Sequence, residues 1–203
     1  VPHVHAYGGN VFHDVISVRH AEKALEAGVD GLILVCAGAG GHAGMLSPFA
    51  LVGEIRKFYD GPIALSGAIA TGRAVLAAQA MGADLAYIGS PFIATEEANA
   101  VGDYKQMIVE SGAEDIVYSS LFTGVHGNYL KPSIRNAGLD PDDLEHADAS
   151  SMNFAQAASK PKAWSAIWGA GQGIGAIHQV RPAGEYIDQL AREYAEAKAA
   201  LAG

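Results

Sequence analysis

The sequence predicts an α/β protein built on a parallel sheet, and three observations carry that prediction. Strand-length apolar runs alternate with helical segments across residues 11–88, joined by short connections, as βαβ units require. Ala27-Gly28-Val29-Asp30 and Met81-Gly82-Ala83-Asp84 repeat one device, a helix stop followed by a turn into a buried strand. Two strands then end in small residues, Ser66-Gly67-Ala68 and Gly89-Ser90, at the sheet edge where α/β folds present chemistry.

The elements follow in order. The chain opens on Val1, and its first ten residues lack a periodic pattern. Residues 11–17 alternate weakly and are rich in β-branched side chains, so they read as a strand. Ser17 caps a helix reaching about residue 27, with Val18, Ala21, Ala24 and Leu25 on one face and Gly28 as its stop. Residues 31–35 are apolar throughout, like a parallel strand covered on both faces. Ser47 and Pro48 begin the next helix, and Arg56 and Lys57 suit the dipole at its end. A strand at 63–66, a helix capped by Thr71 and ending at Met81, and a strand at 85–88 complete four strands. A (β/α)₈ barrel needs eight.

Past Ser90 the rhythm changes. Residues 103–111 read as helix and 115–120 as extended, while 123–175 are rich in Gly, Asn, Pro and Asp and predict loops with short helices. The last helix, about 184–201, carries an apolar stripe of Ile187, Leu190, Tyr194, Ala197 and Leu201 that suits packing on the outside of the sheet. Residues 1–122 therefore hold the βα repeats. Residues 123–203 form a loop-rich segment and final helix packed on the same domain.

With half of its 203 residues hydrophobic and 17% charged, the chain is globular rather than disordered. A formal charge of −9 argues against a nucleic-acid partner. No apolar run approaches the ~18–20 residues that span a bilayer, so no membrane partner is expected. The single cysteine, Cys36, excludes an internal disulfide framework, fits a reducing, cytoplasmic setting, and reads as core packing rather than a nucleophile.

The stretch with most chemical promise is Val35-Cys36-Ala37-Gly38-Ala39-Gly40-Gly41-His42-Ala43-Gly44. A lone histidine on a glycine loop is often only a surface residue. His42 is raised by position, because it follows a buried strand on the same edge as the two small-residue loops. There an imidazole can serve as a general base or orient an anionic substrate. The loops at Ser66-Gly67-Ala68 and Gly89-Ser90 suit phosphate, through exposed backbone N–H groups and the dipole of a following helix. Gly169-Ala170-Gly171-Gln172-Gly173-Ile174-Gly175 has the wrong spacing for a dinucleotide loop and reads as a tight turn. His3, His5, His13, His20, His126, His146 and His178 show no metal-ligand spacing.

V-C-A-G-A-G-G-H-A-G, P-I-A-L-S-G-A-I-A-T-G-R and M-G-A-D-L-A-Y-I-G-S-P-F together resemble the nitronate monooxygenase (2-nitropropane dioxygenase-like) family of FMN-dependent barrels. F-T-G-V-H-G-N-Y-L and W-G-A-G-Q-G-I-G look like its C-terminal region. The resemblance implies a TIM (β/α)₈-barrel fold, of which this chain resembles the C-terminal half, about strands five to eight. It implies His42 as the catalytic residue, and FMN held by Gly40, Gly41, Ser66, Gly67, Ala68, Gly89 and Ser90. The implied reaction oxidises a small-molecule alkyl nitronate with O₂. Relatives that are NAD(P)H-dependent quinone or enoyl-thioester reductases make reduction the alternative. Asp14 stands where some members carry a lysine near the flavin, and Val35 where they carry an aspartate. The resemblance also implies that the chain is a fragment of a longer enzyme. An open half-barrel would self-associate into a homo-oligomer, and an inert fragment is the third reading.

Overall fold

The computed structural model describes residues 1–144 and 166–203. His146 and residues 145–165 of the loop-rich stretch lie outside the described residues. The chain divides into two compact units, residues 1–37, 44–88 and 184–203 in the first and 38–43 and 89–183 in the second.

The first unit holds four parallel strands, β1 (Phe12–Val15), β2 (Gly31–Val35), β4 (Ile63–Ser66) and β5 (Leu85–Ala86), in the order β1-β2-β4-β5. Helices α2 (Val18–Glu26), α3 (Pro48–Ile55) and α4 (Gly72–Met81) connect them, preceded by a short α1 (Pro2–His5) where the sequence shows no period. Ser17 Oγ accepts the His20 N–H at 3.2 Å and Thr71 Oγ1 accepts that of Ala74 at 3.2 Å, so two of the expected caps form. Ser47 makes no side-chain cap bond. Gly28 and Gly82 end their helices at φ +83° and +106°, a conformation that favours glycine.

The repeated Gly-x-Asp device has a physical basis. Asp30 Oδ2 accepts the Val11 N–H at 2.7 Å, while the Asp30 N–H donates to the Val11 carbonyl at 2.8 Å. Asp84 forms the same two-bond clasp with Ile63, at 2.8 and 2.9 Å. In each case the residue after the aspartate pairs with the residue after its partner, Gly31 with Phe12 and Leu85 with Ala64. The aspartate thus sets strand register at the first rung. Each carboxylate takes a second partner, His5 Nε2 at 2.8 Å for Asp30 and the Arg56 guanidinium at 2.7 Å for Asp84. Arg56 does more than offset a helix dipole, since it also donates to the carbonyls of Tyr59, Gly61 and Gly82.

Strand β2 alternates. Leu32, Leu34 and Cys36 are fully buried and pack with Leu51, Val52 and Ile55 of α3, while Ile33 and Val35 on the opposite face are half-buried. The helix-facing side is therefore sealed, whereas the cover expected on both faces of residues 31–35 is partial, in contrast to β4, whose four residues are all buried. Strand β1 is exposed except at Val15. Burying each leucine contributes about 1.5–3 kcal/mol.

The final helix, α8 (Ala183–Ala202), joins the first unit from Gly184 onward. Its buried residues are Tyr186 and Ala197, whereas Ile187 and Leu201 of the expected stripe are exposed. The period is as read, but the buried face is rotated by about one residue at its start.

The second unit contains a sheet that the sequence does not announce. Strands β3 (Gly41–His42), β7 (Gly127–Leu130) and β6 (Ile116–Ser119) form an antiparallel sheet in the order β3-β7-β6. Helices α5 (Ser90–Ile93), α6 (Gly102–Glu110) and α7 (Lys131–Asn136) surround it in sequence. The segment expected to be loops and short helices thus supplies a central strand. Leu130, Ile108, Ala170 and Ile174 form one core here, and Tyr129, Ile134 and Ile167 another, against which Phe122 sets its ring edge-on to Tyr129.

Candidate functional site

His42 lies on a strand, not in a loop. It pairs with Gly127, and Gly41 pairs with Asn128, while the Ala43 N–H donates to the His126 carbonyl at 3.2 Å. Three side chains fasten the strip from Gly38 to Ala43 within the second unit. Asn128, buried, donates from Nδ2 to the Ala39 carbonyl at 2.6 Å. Tyr118 donates its hydroxyl to the Ala43 carbonyl at 2.8 Å, and burial raises its pKa so that it stays protonated. Thr123 Oγ1 stands 2.9 Å from His42 Nε2.

That contact is one of several at the same hydroxyl. Thr123 Oγ1 also lies 3.0 Å from the Val125 carbonyl and 3.5 Å from the Tyr129 hydroxyl, and it accepts the Val125 N–H at 3.3 Å. The imidazole is thereby anchored at its Nε2 edge.

The glycines of the strip serve packing as much as any ligand. A Cβ on Gly40 would lie 2.7 Å from the Gly171 nitrogen and 2.9 Å from the Ala170 carbonyl carbon. Gly171 in turn donates to Ser90 Oγ at 2.8 Å, and Gln172 donates to the Gly38 carbonyl at 2.9 Å. The glycine run at 169–175 is thus clasped onto the strip, with Gly169 bridging Tyr129 and Gln172–Ala176 wound as a short 3₁₀ helix where a tight turn was expected. Gly89 and Ser90 come with a qualification. The helix after them, α5, has four residues, too short for a useful dipole, so any phosphate contact there rests on the Ser90 hydroxyl and local amides.

In the first unit, Ser66-Gly67-Ala68 forms a turn with unusual backbone. Gly67 has φ +148° and Ala68 φ +54°, the one positive-φ non-glycine among the described residues. The N–H groups of Gly67, Ala68, Ile69 and Ala70 make no hydrogen bond among the described residues. Successive undonated amides around a left-handed residue are the donor set that a phosphate takes. The α4 dipole expected to assist is already engaged, because Glu193 Oε2 accepts the Gly72 N–H at 2.8 Å. The turn therefore suits a phosphate group through its own amides.

A family model for nitronate monooxygenase matches residues 2–193. The chain belongs to the nitronate monooxygenase family. It is 29% identical to a nitronate monooxygenase of Paraburkholderia phytofirmans over 87% of this chain and 52% of that one. FabK of Thermotoga maritima superposes with a TM-score of 0.83 at 25% identity, covering 100% of this chain and 66% of that one. A nitroalkane oxidase of Streptomyces ansochromogenes superposes with a TM-score of 0.76 at 27% identity, covering 97% and 60%. The chain spans about half the length of the curated relatives it matches. Its parallel sheet with covering helices is the α/β architecture that the family resemblance implies.

Sequence reasoning reached His42 and both turns and missed Thr123, Asn128 and Tyr118. Thr123 and Asn128 are turn-forming residue types in a Gly-rich stretch, and nothing in their spacing ties them to a histidine over eighty positions away. The one available signal was the F-T-G-V-H-G-N-Y motif itself, which holds all of the partners except Tyr118.

Proposed function

We propose that this chain is the part of an FMN-dependent oxidoreductase that holds the catalytic histidine and a phosphate turn, and that the enzyme oxidises alkyl nitronates with O₂. The observation that carries this reading is the Thr123–His42 contact at 2.9 Å, which anchors the imidazole at its Nε2 edge. Family membership supports the nitronate as substrate, and the undonated amides at Gly67 and Ala68 support a phosphate-bearing cofactor. Gly40, Gly41, Gly89 and Ser90 are further proposed FMN contacts. FMN, when bound, supplies the redox chemistry. His42 takes the proton from the carbon bearing the nitro group of a neutral nitroalkane, or orients a nitronate already formed. Thr123 holds the ring in place for this step through its contact with Nε2. A single buried thiol suits a cytoplasmic setting.

Reduction of an enoyl thioester or quinone by NAD(P)H is the second reading, and the fold similarity to FabK favours it. Anaerobic mixing separates the two. Bleaching of bound flavin by an alkyl nitronate but not by NADH is expected, and bleaching by NADH alone would transfer the assignment to the reductase. His42→Ala is expected to lower turnover of a neutral nitroalkane by about 10²–10⁴-fold. Unchanged turnover of both nitroalkane and nitronate would remove His42 from the mechanism. A visible spectrum of the purified chain tests the inert reading, which bound yellow flavin would exclude.

A further inference from the structure

The Gly67–Gly72 turn is held from behind by α8. Tyr186, 4% exposed, donates its hydroxyl to the Ala70 carbonyl at 2.9 Å, and Glu193 accepts the Gly72 N–H at 2.8 Å. Between these two bonds the backbones meet closely. A Cβ on Gly72 would lie 2.3 Å from the Leu190 carbonyl oxygen and 2.3 Å from the Tyr194 nitrogen, so glycine alone permits the approach. One turn further along, the Tyr194 hydroxyl bonds Gln79 of α4. The C-terminal end of the segment is thereby fixed, while Ala68 stays in a left-handed conformation that an L-residue rarely adopts.

A strained turn with idle amides persists only where its surroundings over-determine it. We propose that α8 is the strut that holds this turn in its anion-receiving form, with Tyr186 and Glu193 as positioning residues. Neither side chain supplies a donor to the anion. Tyr186 fixes the carbonyl of Ala70, and with it the Ala70–Thr71 peptide on which the turn ends. Glu193 satisfies the first amide of α4 and removes that amide as a competing anion contact. The proposal takes its ligand, the FMN phosphate, from the function proposed above, but its geometry stands without it.

The test uses the whole chain and the variants Tyr186→Phe, Glu193→Ala and Glu193→Gln. Amide hydrogen exchange at Gly72 and Ala74 reads the turn directly, and fluorescence titration reads affinity for FMN and for riboflavin, which lacks the phosphate. Tyr186→Phe and Glu193→Ala are expected to speed exchange about tenfold, the loss of one buried hydrogen bond. They are expected to weaken FMN by a similar factor and leave riboflavin unchanged. Glu193→Gln, which keeps an acceptor, stays within about twofold of the parent. Unchanged exchange in both Tyr186→Phe and Glu193→Ala would overturn the strut. Equal weakening of FMN and riboflavin would overturn its link to the phosphate. If the parent binds neither flavin while exchange still responds as expected, the strut stands and the flavin reading fails.

Discussion

At the scale of single residues, the decisive feature is a hydroxyl contact. Thr123 Oγ1 stands 2.9 Å from His42 Nε2 and 3.0 Å from the Val125 carbonyl, so it ties the ring to its own turn. Thr123→Val removes that hydroxyl and is expected to lower neutral-nitroalkane turnover by about tenfold, while Thr123→Ser restores it. Turnover of a preformed nitronate, which needs no base, is expected to change less. Equal loss on both substrates in steady-state assays would show a merely structural role. Cys36, by contrast, is chemically quiet, since burial pushes its thiol up to about 12 and it is fully enclosed beneath the helices.

At the scale of elements, the two aspartate clasps link register to pH. The carboxyls of Asp30 and Asp84 lie below their ordinary value of 3.8, chiefly through the Val11 and Ile63 amides, and then through His5 and Arg56. A carboxyl depressed by folding contributes stability above its unfolded value, and that contribution is lost as pH falls through the folded one. The melting temperature is therefore expected to drop below about pH 4. Asp30→Asn with Asp84→Asn should flatten that drop while lowering the plateau at pH 6. A pH–Tm series on the double variant checks it, and an unaltered slope would contradict the clasps. The repeat was legible as a helix stop and turn, since local chemistry writes those in adjacent residues. The aspartate bonds reach about twenty positions back and were not. Nor were strands β3 and β7. Two residues carry no period, and Gly127 and Asn128 are poor strand formers held there by distant pairing rather than propensity. The α8 stripe was read correctly through Leu190, Tyr194 and Ala197 and missed at its ends, where Tyr186 replaces Ile187 because a carbonyl that the helix sequence does not reveal takes its hydroxyl.

For the whole molecule, the strand order matters most. β1 and β5 each pair on one side only among the described residues, and Phe12, Leu85 and Tyr87 are exposed on or beside them. Unpaired parallel edges with apolar side chains favour edge-to-edge association. The isolated 203-residue chain is expected to sediment as a concentration-dependent oligomer, and a monomer across the accessible range would refute that expectation. Lysine placed at Leu85 is expected to weaken the association.

The pairing of Gly41 with Asn128 also has a consequence in time. A ribosome adds about 5–20 residues per second, so the glycine strip waits on the order of ten seconds for the strand that will claim it. Throughout that interval the strip is attached to β2, which can already find β1. A stretch of Gly and Ala offers few side chains for a wrong neighbour to grip. The same poverty of side chains that hides β3 from a reader of the sequence keeps the nascent chain from committing early.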